Sequence, residues 1–380
     1  MQIGTMGGAT DENETVLPAG EPRLQGDAAH PEYRNYLEMV CQKNPQVFIE
    51  LSSICNFHCF YCESPNHDRK SQMDDATFQK VLDQLPGLTN QPIRLHCDGE
   101  PTVHAKFFEY ASAVNERGMR INLVSNGSNM QEKFLALKMD IGIHLSTSAE
   151  EFELRSKLPF DRYLGGMRNY LRAWTEASSA EQNIQYYIYL TSYQRQTPSE
   201  MDRIRAFARA FLASTELNAD IGEAVPNSNW FTFRKRNGYK FRLSAKNIAS
   251  GGMYPEVETK KPVTLPREFG FCDSPWKRLV ILSDGSIQPC CLDLKGTLAY
   301  TAPDELETKT LHDLWHNDSR IAAIRDEALR GQVNHPTCQK CLDRLPSREF
   351  YTAFAEKFDS VDSLSNAPDG KKGRVRPAPV

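Results

Sequence analysis

From Gln46 onward, short apolar runs rich in β-branched and aromatic residues alternate with stretches of helical periodicity. In residues 74–85, for example, Phe78, Val81 and Leu82 recur on one helical face behind two aspartates suited to capping. The apolar runs occupy residues 47–51, 93–97, 121–125, 141–145, 184–191 and, more weakly, 219–224. Strand and helix alternating about six times predicts an α/β fold, in which outer helices cover a parallel sheet. Such sheets carry their chemistry at the carboxyl ends of the strands.

The composition narrows the functional class and the cellular compartment. The 380 residues carry a net charge of -4, which argues against general nucleic-acid binding. The sequence contains neither an apolar secretory segment at its start nor a run of transmembrane length. Ten cysteines without an export signal indicate a reducing compartment, where thiols bind metals or perform chemistry more often than they form disulfides. We therefore expect a cytoplasmic protein that does not insert into a membrane.

The segment CNFHCFYC directly follows the first apolar run and places three thiols, Cys55, Cys59 and Cys62, at the functional end of the sheet. Three thiolates can bind three irons of a cubane [4Fe–4S] cluster and leave the fourth iron open for another ligand. The alternative is a structural zinc site whose fourth ligand is His58 or His67. The spacing alone leaves both interpretations open.

This cysteine motif, with Tyr61 just before its last cysteine, resembles the signature of the radical S-adenosylmethionine (SAM) superfamily. Further short motifs follow the next predicted strands in the order in which that family carries them. CDGEPT resembles the family's GGEP, SNG resembles TNG, STSA resembles SLDG, and an arginine comes after them. The matching residues are Asp98, Gly99, Glu100, Pro101, Ser125, Asn126, Ser146 and Arg155. The resemblance covers about residues 46–225, and Asp98 departs from it because the family has glycine there.

The resemblance implies a role for each motif. In that family the amino and carboxylate groups of SAM chelate the open iron, and electron transfer from the cluster yields a 5′-deoxyadenosyl radical. The backbone at GEP would receive the amino group, Ser146 would lie near SAM, and Arg155 would pair with the carboxylate. The resemblance also implies a flavodoxin- or ferredoxin-type electron donor. Taken alone, Arg155 would more often be a surface residue, and SNG would more often be a simple turn.

A second set of four cysteines, Cys272, Cys290, Cys338 and Cys341, lies in the last third of the chain. The first two flank RLVILSDGSIQPC, a predicted hairpin that turns at residues 284–285. This arrangement resembles the C-terminal extension of SPASM/twitch radical SAM enzymes, in the shorter form that holds one auxiliary [4Fe–4S] cluster. A zinc-ribbon-like site would use the same four ligands. The resemblance as a whole implies a partial (β/α)6 radical SAM barrel with a twitch/SPASM-like iron–sulfur extension, two [4Fe–4S] clusters and SAM.

Some side chains near these motifs have no assigned role. Cys97 ends the second predicted strand and Cys291 directly follows an auxiliary ligand, and packing is the ordinary role of such thiols. The alternative for Cys291 is a hydrogen-atom donor that quenches a substrate radical. Asp293, beside the auxiliary cysteines, is a candidate acid or base, as are His96 and His104 around the DGEP turn.

The expected organisation has five parts. Residues 1–31 form a flexible amino-terminal arm, 46–225 the partial barrel, 226–266 a connector, 267–346 the auxiliary-cluster domain and 360–380 a disordered tail. Within the connector, FRKRNGYKFR is interpreted as a solvated hairpin, with a phosphate-binding patch as the alternative.

Three functions are compatible with these motifs. The first is oxidation of a small sugar- or cyclitol-like molecule or natural product, in which the auxiliary cluster receives the second electron. The alternative is crosslinking or epimerisation of a ribosomally made peptide. A remote alternative from another class is a non-catalytic binding protein stapled by zinc. The motifs specify the cofactors far more closely than the substrate, which could be a small molecule or a peptide.

Overall fold

The computed structural model describes residues 31–59, 62, 64–176, 185–192, 198–215, 230–234, 240–247, 272–332, 334–339 and 341. Its strands are β1 Gln46–Ile49, β2 Ile93–Arg94, β3 Ile121–Ser125, β4 Met139–Ser146, β5 Gln185–Ser192, β6 Trp230–Arg234, β7 Lys240–Asn247, β8 Arg278–Ile281 and β9 Ile287–Gln288. These nine strands form one sheet in the order β6-β7-β5-β4-β3-β2-β1-β8-β9. The α/β class predicted from the sequence is confirmed.

The helices are α1 Pro31–Tyr36, α2 Asp75–Gln84, α3 Phe107–Glu116, α4 Ala149–Glu153, α5 Phe160–Glu176, α6 Pro198–Ala213, α7 Ser274–Lys277, α8 Leu311–His316, α9 Ser319–Leu329 and α10 Pro336–Gln339. Helix α2 begins where the sequence predicts, because Asp74 accepts a hydrogen bond of 2.8 Å from the backbone N–H of Thr77. Its predicted apolar face, Phe78, Val81 and Leu82, is buried.

Seven neighbouring strands run parallel: β8, β1, β2, β3, β4, β5 and β7. The antiparallel strands β6 and β9 form the two ends of the described sheet. The sheet therefore stays open at both ends, as in a partial barrel, and the carboxyl ends of its parallel strands lie along one edge.

A strand that the sequence did not mark as part of the barrel lies beside β5. The weak apolar run at 219–224 lies outside the described residues, and β7 occupies the place beside β5, from Tyr186↔Phe241 to Ser192↔Asn247. The hairpin predicted around FRKRNGYKFR forms, since β6 pairs with β7 antiparallel, and it extends the sheet. A strand with such a polar sequence is recruited by the free backbone groups of a sheet edge, which its own composition does not reveal.

The two faces of the sheet differ in character. Alternate strand residues are fully buried in the main hydrophobic core with side chains of the outer helices; they include Val47, Ile49, Ile93, Ile121, Leu123, Ile141 and Ile143. The intervening residues face the other way. On β2, β3 and β4 they include four partly exposed polar side chains, namely Arg94, Asn122, Asp140 and His144. The outer face therefore holds the fold together, and the inner face is chemically equipped to contact a polar molecule.

The C-terminal extension continues the barrel's sheet. Strand β8 pairs in parallel with β1, with Val280 opposite Phe48. The predicted hairpin between β8 and β9 is confirmed, and it turns through Gly285, whose φ is +91°. Glycine is needed there because other residues rarely adopt this left-handed conformation.

Several predictions fall outside the described residues or are not tested by them. Most of the amino-terminal arm (1–31) and all of the tail (360–380) lie outside, and the domain boundaries and the cytoplasmic location stay predictions. Within the described part of the chain, no helix combines the length and the apolar character needed to cross a membrane.

Candidate active site

The three predicted cluster cysteines lie in the loop that leaves the carboxyl end of β1. The backbone N–H of Cys62 donates to the carbonyl of Cys59 at 3.0 Å, and the N–H of Phe57 approaches the Sγ of Cys55 at 3.4 Å. Phe57 is buried and anchors the loop on the hydrophobic core. Tyr61, predicted to belong to this motif, lies outside the described residues.

The electrostatics of these thiols suit a cationic cluster. Burial is the main reason why the pKa of Cys55 is raised to about 12. A backbone hydrogen bond from Phe57 lowers this pKa, and the negative charges of Glu100, Cys59 and Cys62 raise it. Burial also raises the pKa of Cys62. Bound iron reverses this situation, because a metal stabilises the thiolate that burial and neighbouring negative charge disfavour.

Three thiols from one loop are the donor set that a cubane cluster takes. A cubane spreads three cysteine ligands over three irons, so their sulfurs need not converge. His67, the alternative zinc ligand, places its Nε2 2.6 Å from a carboxylate oxygen of Asp98. The residues present fit a [4Fe–4S] cluster.

Gly99 allows the turn after β2 to contact the cluster loop directly. Its φ is +66°, and a Cβ added there would lie 2.3 Å from the carbonyl oxygen of Ser52 and 2.7 Å from the carbonyl carbon of Ser53. The next residue, Glu100, donates its backbone N–H to the carbonyl of Ile54 at 3.0 Å. Only glycine fits this close approach, which is a steric reason for the glycine of the GEP motif.

The structure explains why Asp98 can replace the family's glycine. Its buried carboxylate accepts a hydrogen bond from the Ser64 hydroxyl and contacts His67, and its backbone N–H donates to Glu50 at 3.3 Å. The Ser64 hydroxyl also lies 3.1 Å from the Sγ of Cys62. Burial raises the pKa of Asp98, although the hydrogen bond from Ser64 opposes this. Asp98 thus organises the segment that follows the last cluster cysteine.

Glu100 joins the ends of two strands. Its buried carboxylate accepts hydrogen bonds from the hydroxyls of Thr102 (2.7 Å) and Ser125 (2.9 Å) and from the backbone N–H of Asn126 (2.7 Å). Burial raises the pKa of Glu100, while these hydrogen bonds lower it. Pro101 then begins a buried 3₁₀ turn, Pro101–Val103. The DGEP and SNG motifs are therefore parts of one buried network.

Asn126 connects this network to the cysteine loop. Its Nδ2 donates to the Oδ1 of Asn56 at 2.9 Å and lies 3.8 Å from the Sγ of Cys55. The hydroxyl of Tyr163 donates to the carbonyl of Asn126 at 2.7 Å and fixes the turn from below. Neither Asn56 nor Tyr163 stands out in the sequence, because their roles depend on contacts across the sheet.

Arg155 belongs to the site and is not a surface residue, since only 1% of it is exposed. Its Nη1 donates to the Oγ of Ser146 at 2.9 Å, and its guanidinium lies 5.5 Å from the ring centroid of Phe57. Its carbonyl accepts the N–H of His58 at 2.8 Å. Ser146 of the STSA motif and Arg155 thus meet beside the cysteine loop.

The four auxiliary cysteines line one cavity of about 390 Å³. Cys272 precedes β8, and Cys290 follows its antiparallel neighbour β9. The cavity therefore lies toward the amino end of β8, away from the edge that carries the cluster loop. Burial raises the pKa of Cys290, and the charges of Cys291 and Cys272 raise it further. Cys341 donates its backbone N–H to the carbonyl of Cys338 at 3.2 Å. A cavity of this size and donor set fits a group larger than a single ion.

Cys291 and Asp293, the candidate catalytic residues of the extension, differ in surroundings. Cys291 packs with Cys97 against the small apolar cluster of Phe48, Val280 and Leu282, and the thiol of Cys97 lies 3.7 Å from its carbonyl. Asp293 is buried and accepts hydrogen bonds from the loop that follows it, including the backbone N–H of residue 298 at 2.6 Å. Its carboxylate is therefore engaged in shaping this loop, and catalytic roles for both residues stay predictions.

Sequence reasoning missed a buried junction between barrel and extension. Glu50 is fully buried and receives a two-pronged hydrogen bond from Arg69, at 2.8 and 2.9 Å. The backbone N–H and hydroxyl of Ser283, in the β8–β9 turn, donate to the same carboxylate at 3.1 and 2.8 Å. A signal was available, since Glu50 is an acid inside the apolar run VFIEL, where charge is costly unless it is paired.

Comparison with known proteins supports the resemblance that the motifs predict. The SPASM family, an iron-sulfur cluster-binding domain, matches residues 272–342. Over 329 residues the chain is 24% identical to the PqqA peptide cyclase of Ruegeria pomeroyi, a match that covers 81% of this chain and 82% of that protein. The resemblance to radical SAM enzymes of the SPASM/twitch subfamily that the sequence predicts is confirmed. The partial barrel with its extension, and the cofactors that go with the resemblance, [4Fe–4S] clusters and SAM, are confirmed with it.

Other matches to this chain are shorter or more distant. It is 30% identical over 103 residues to the tungsten-containing aldehyde ferredoxin oxidoreductase cofactor-modifying protein of Pyrococcus furiosus, and the match spans 26% of this chain and 28% of that protein. The crystal structure of BtrN in complex with AdoMet and 2-DOIA is 16% identical, with a TM-score of 0.43, and the match covers 78% of this chain and 92% of that one. Likeness at this level bears on neither substrate nor reaction.

Proposed function

We propose that this protein uses a 5′-deoxyadenosyl radical to modify a ribosomally made peptide. The observation that carries this proposal is the match to a peptide cyclase over about four fifths of both chains. The sequence pointed first to a small sugar- or cyclitol-like substrate and kept a peptide as the alternative. The alternative has the better support, because a match of this extent includes the barrel and the extension together.

The residues at the carboxyl edge of the sheet would hold the first set of cofactors. Cys55, Cys59 and Cys62 would bind three irons, and the turn at Gly99 and Glu100 would receive the amino group of SAM. When bound, the cluster and SAM supply an electron and an organic radical that removes a hydrogen atom from the substrate. The buried Glu100 network keeps the turn fixed and excludes water from it, which protects a radical from side reactions.

Arg155 would bind the carboxylate of SAM. A guanidinium matches a carboxylate with two parallel hydrogen bonds, and this one is held in place by Ser146 and by the ring of Phe57. Because these contacts fix the side chain in advance, little of its freedom is lost when SAM binds.

The four cysteines of the extension would hold an auxiliary cluster with no open iron. Such a cluster can accept the electron that a crosslinking reaction leaves over. The loop after Cys290 returns to the barrel, where Arg69 donates to the carbonyl of Leu294 at 3.0 Å and the Cys97 thiol meets the Cys291 carbonyl. The auxiliary site is therefore connected to the cluster loop through a short path of packed groups.

The test is peptide modification by the reconstituted protein. The protein is loaded anaerobically with iron and sulfide, reduced, and incubated with SAM and a short precursor peptide encoded beside its gene. We expect a crosslinked peptide lighter by two hydrogen atoms, or an epimerised one of unchanged mass that digestion and chiral analysis reveal. Turnover of an aminocyclitol with no change in the peptide would overturn the proposal and restore the small-molecule hypothesis. A flavodoxin- or ferredoxin-type donor should replace the chemical reductant.

A further inference from the structure

The inner face of the sheet arranges its side chains in layers. The registers Phe48↔Arg94, Arg94↔Asn122 and Asn122↔Asp140 place four inward-facing residues at one level across β1 to β4. In parallel strands, residues of the same register stack side by side, so this level is a ring around the inner face. One cation and one anion, Arg94 and Asp140, belong to it.

The anion in this layer already pairs with a cation, because Asp140 accepts a hydrogen bond of 3.0 Å from Arg120. The guanidinium of Arg94 lies 5.1 Å from the ring centroid of Phe48. Its one hydrogen bond to a described residue goes to the carbonyl of Pro92 and is long, at 3.4 Å. Among the described residues, no carboxylate pairs with Arg94.

The other titratable groups that influence Arg94 do not replace a carboxylate. They are the Cys291 thiol and a second cation, Arg278, and burial is the main reason why the pKa of Arg94 is lowered. A partly buried guanidinium without an anion is costly, because it has lost hydration without gaining a partner. An anion from outside the chain would supply that partner.

His96 adds a neutral donor beside Arg94. Its Nδ1 lies 3.2 Å from the backbone nitrogen of Val124, and since a backbone N–H can only donate, Nδ1 must be the acceptor. The ring proton is therefore on Nε2. Burial and the charge of Arg94 lower the pKa of His96 to about 4, against a backbone hydrogen bond with Asn122 that raises it, so the ring stays neutral at physiological pH. The ring meets Phe48 edge-on at 5.6 Å.

We propose that Arg94 and His96, packed on Phe48, form a binding site for a carboxylate group of the substrate. The guanidinium fork offers two parallel donors, which is the geometry that a planar carboxylate accepts, and the neutral ring of His96 lies beside it. The single cation of the site balances a single negative charge. The inference rests on the proposed function in one respect, that the substrate enters the inner face of the sheet.

The test measures binding without turnover. The iron-loaded, oxidised, SAM-bound protein is titrated by saturation-transfer NMR with N-acetyl-glutamate α-amide and with its neutral isostere, N-acetyl-glutamine α-amide. We expect the charged probe to bind better than the neutral one, Arg94→Gln to weaken its binding about tenfold to hundredfold, and His96→Phe to weaken it about fivefold. Arg94→Lys should fall between Arg94→Gln and the parent. The matched control is Arg117→Gln, since Arg117 caps the carboxyl end of the outer helix α3 and pairs with Asp83 of α2 on the surface.

Several outcomes would overturn the inference. Equal binding of both probes, or no binding of the charged one, would exclude a carboxylate site. Unchanged binding in Arg94→Gln, together with an altered electron paramagnetic resonance spectrum of the reduced auxiliary cluster, would assign the guanidinium to that cluster instead. A failure of the peptide proposal is distinguishable from a failure of this inference. If no precursor peptide is modified while Arg94→Gln weakens binding of the charged probe, the carboxylate site is supported and the peptide proposal is not.

Discussion

At the scale of single residues, steric contacts and electrostatics determine which side chain can occupy a position in the site. Gly99 is the tightest of these, because the backbone of the cluster loop occupies the volume where a Cβ would be. Arg155 is the most informative, because a buried cation beside a cysteine loop needs an anionic ligand or a dense set of dipoles.

Replacing Gly99 by alanine should disrupt the contact between the DGEP turn and the cluster loop. The new Cβ would clash with Ser52 and Ser53, and the positive φ adds strain, so we expect the free energy of unfolding to fall by at least about 3 kcal/mol. Denaturant unfolding of the iron-free protein measures this, and iron uptake should fall with it. Gly87→Ala is the control, because a Cβ added at Gly87 would have no atom within 4 Å, and a change below about 1 kcal/mol is expected. Equal losses in both variants would show that the close contact is unimportant.

Replacing Arg155 by lysine should weaken SAM binding while the first cluster still assembles. Lysine keeps the charge but loses the fork, so we expect the dissociation constant of SAM to rise about tenfold or more at unchanged iron content. Equilibrium binding of SAM to the iron-loaded protein provides the measurement, with Arg162→Lys on the exposed side of α5 as the control. Unaltered SAM affinity in Arg155→Lys would contradict the assigned role.

Most residues of the candidate site could be predicted from the sequence, and the exceptions have a common cause. The cysteine, DGEP, SNG and STSA motifs follow strands in sequence, so their meeting at one edge follows from parallel pairing. Glu50 and Arg94 were not assigned roles, because a charge inside a strand gains its meaning from partners on other strands. The burial of Arg155 could not be predicted for the same reason, because burial is a tertiary property.

At the scale of elements, the barrel and the extension are joined by a buried ionic contact. Glu50 leaves β1, Arg69 comes from the loop after the cysteines, and Ser283 belongs to the β8–β9 turn. The strands themselves were predictable where they are apolar, as in β1, β3 and β4. The sequence did not reveal that the polar β7 would pair with β5, because pairing to an open edge is decided by backbone hydrogen bonds.

Breaking this contact should destabilise the whole sheet. Glu50→Gln leaves the Arg69 guanidinium buried without its carboxylate, and the loss of one partner of a buried pair costs about 3–5 kcal/mol. Thermal and denaturant unfolding measure the effect. Asp83→Asn is the matched control, since this exposed carboxylate pairs with Arg117 on the surface and should contribute less than about 1 kcal/mol. A Glu50→Gln variant as stable as its parent would show that the junction is dispensable.

At the scale of the whole molecule, the two cysteine sets lie toward different ends of the sheet. The first set is on the carboxyl edge, and the second lines a cavity at the amino end of β8.

Metal analysis of two cysteine variants tests this division. Two cubane clusters hold about eight irons per chain, so Cys290→Ala should retain about four and Cys41→Ala, outside both sets, about eight. Zinc in place of iron at either site would contradict the cluster assignment and favour the zinc-stapled binding protein.

The central claim is that this chain cleaves SAM reductively at Cys55, Cys59 and Cys62. The most direct measurement is the amount of 5′-deoxyadenosine, by mass spectrometry, after the iron-loaded protein is reduced and given SAM and the precursor peptide. We predict formation by the parent protein and none by Cys59→Ala, while Cys41→Ala behaves as the parent. The absence of deoxyadenosine from a fully iron-loaded, reduced parent protein with peptide present would contradict the account.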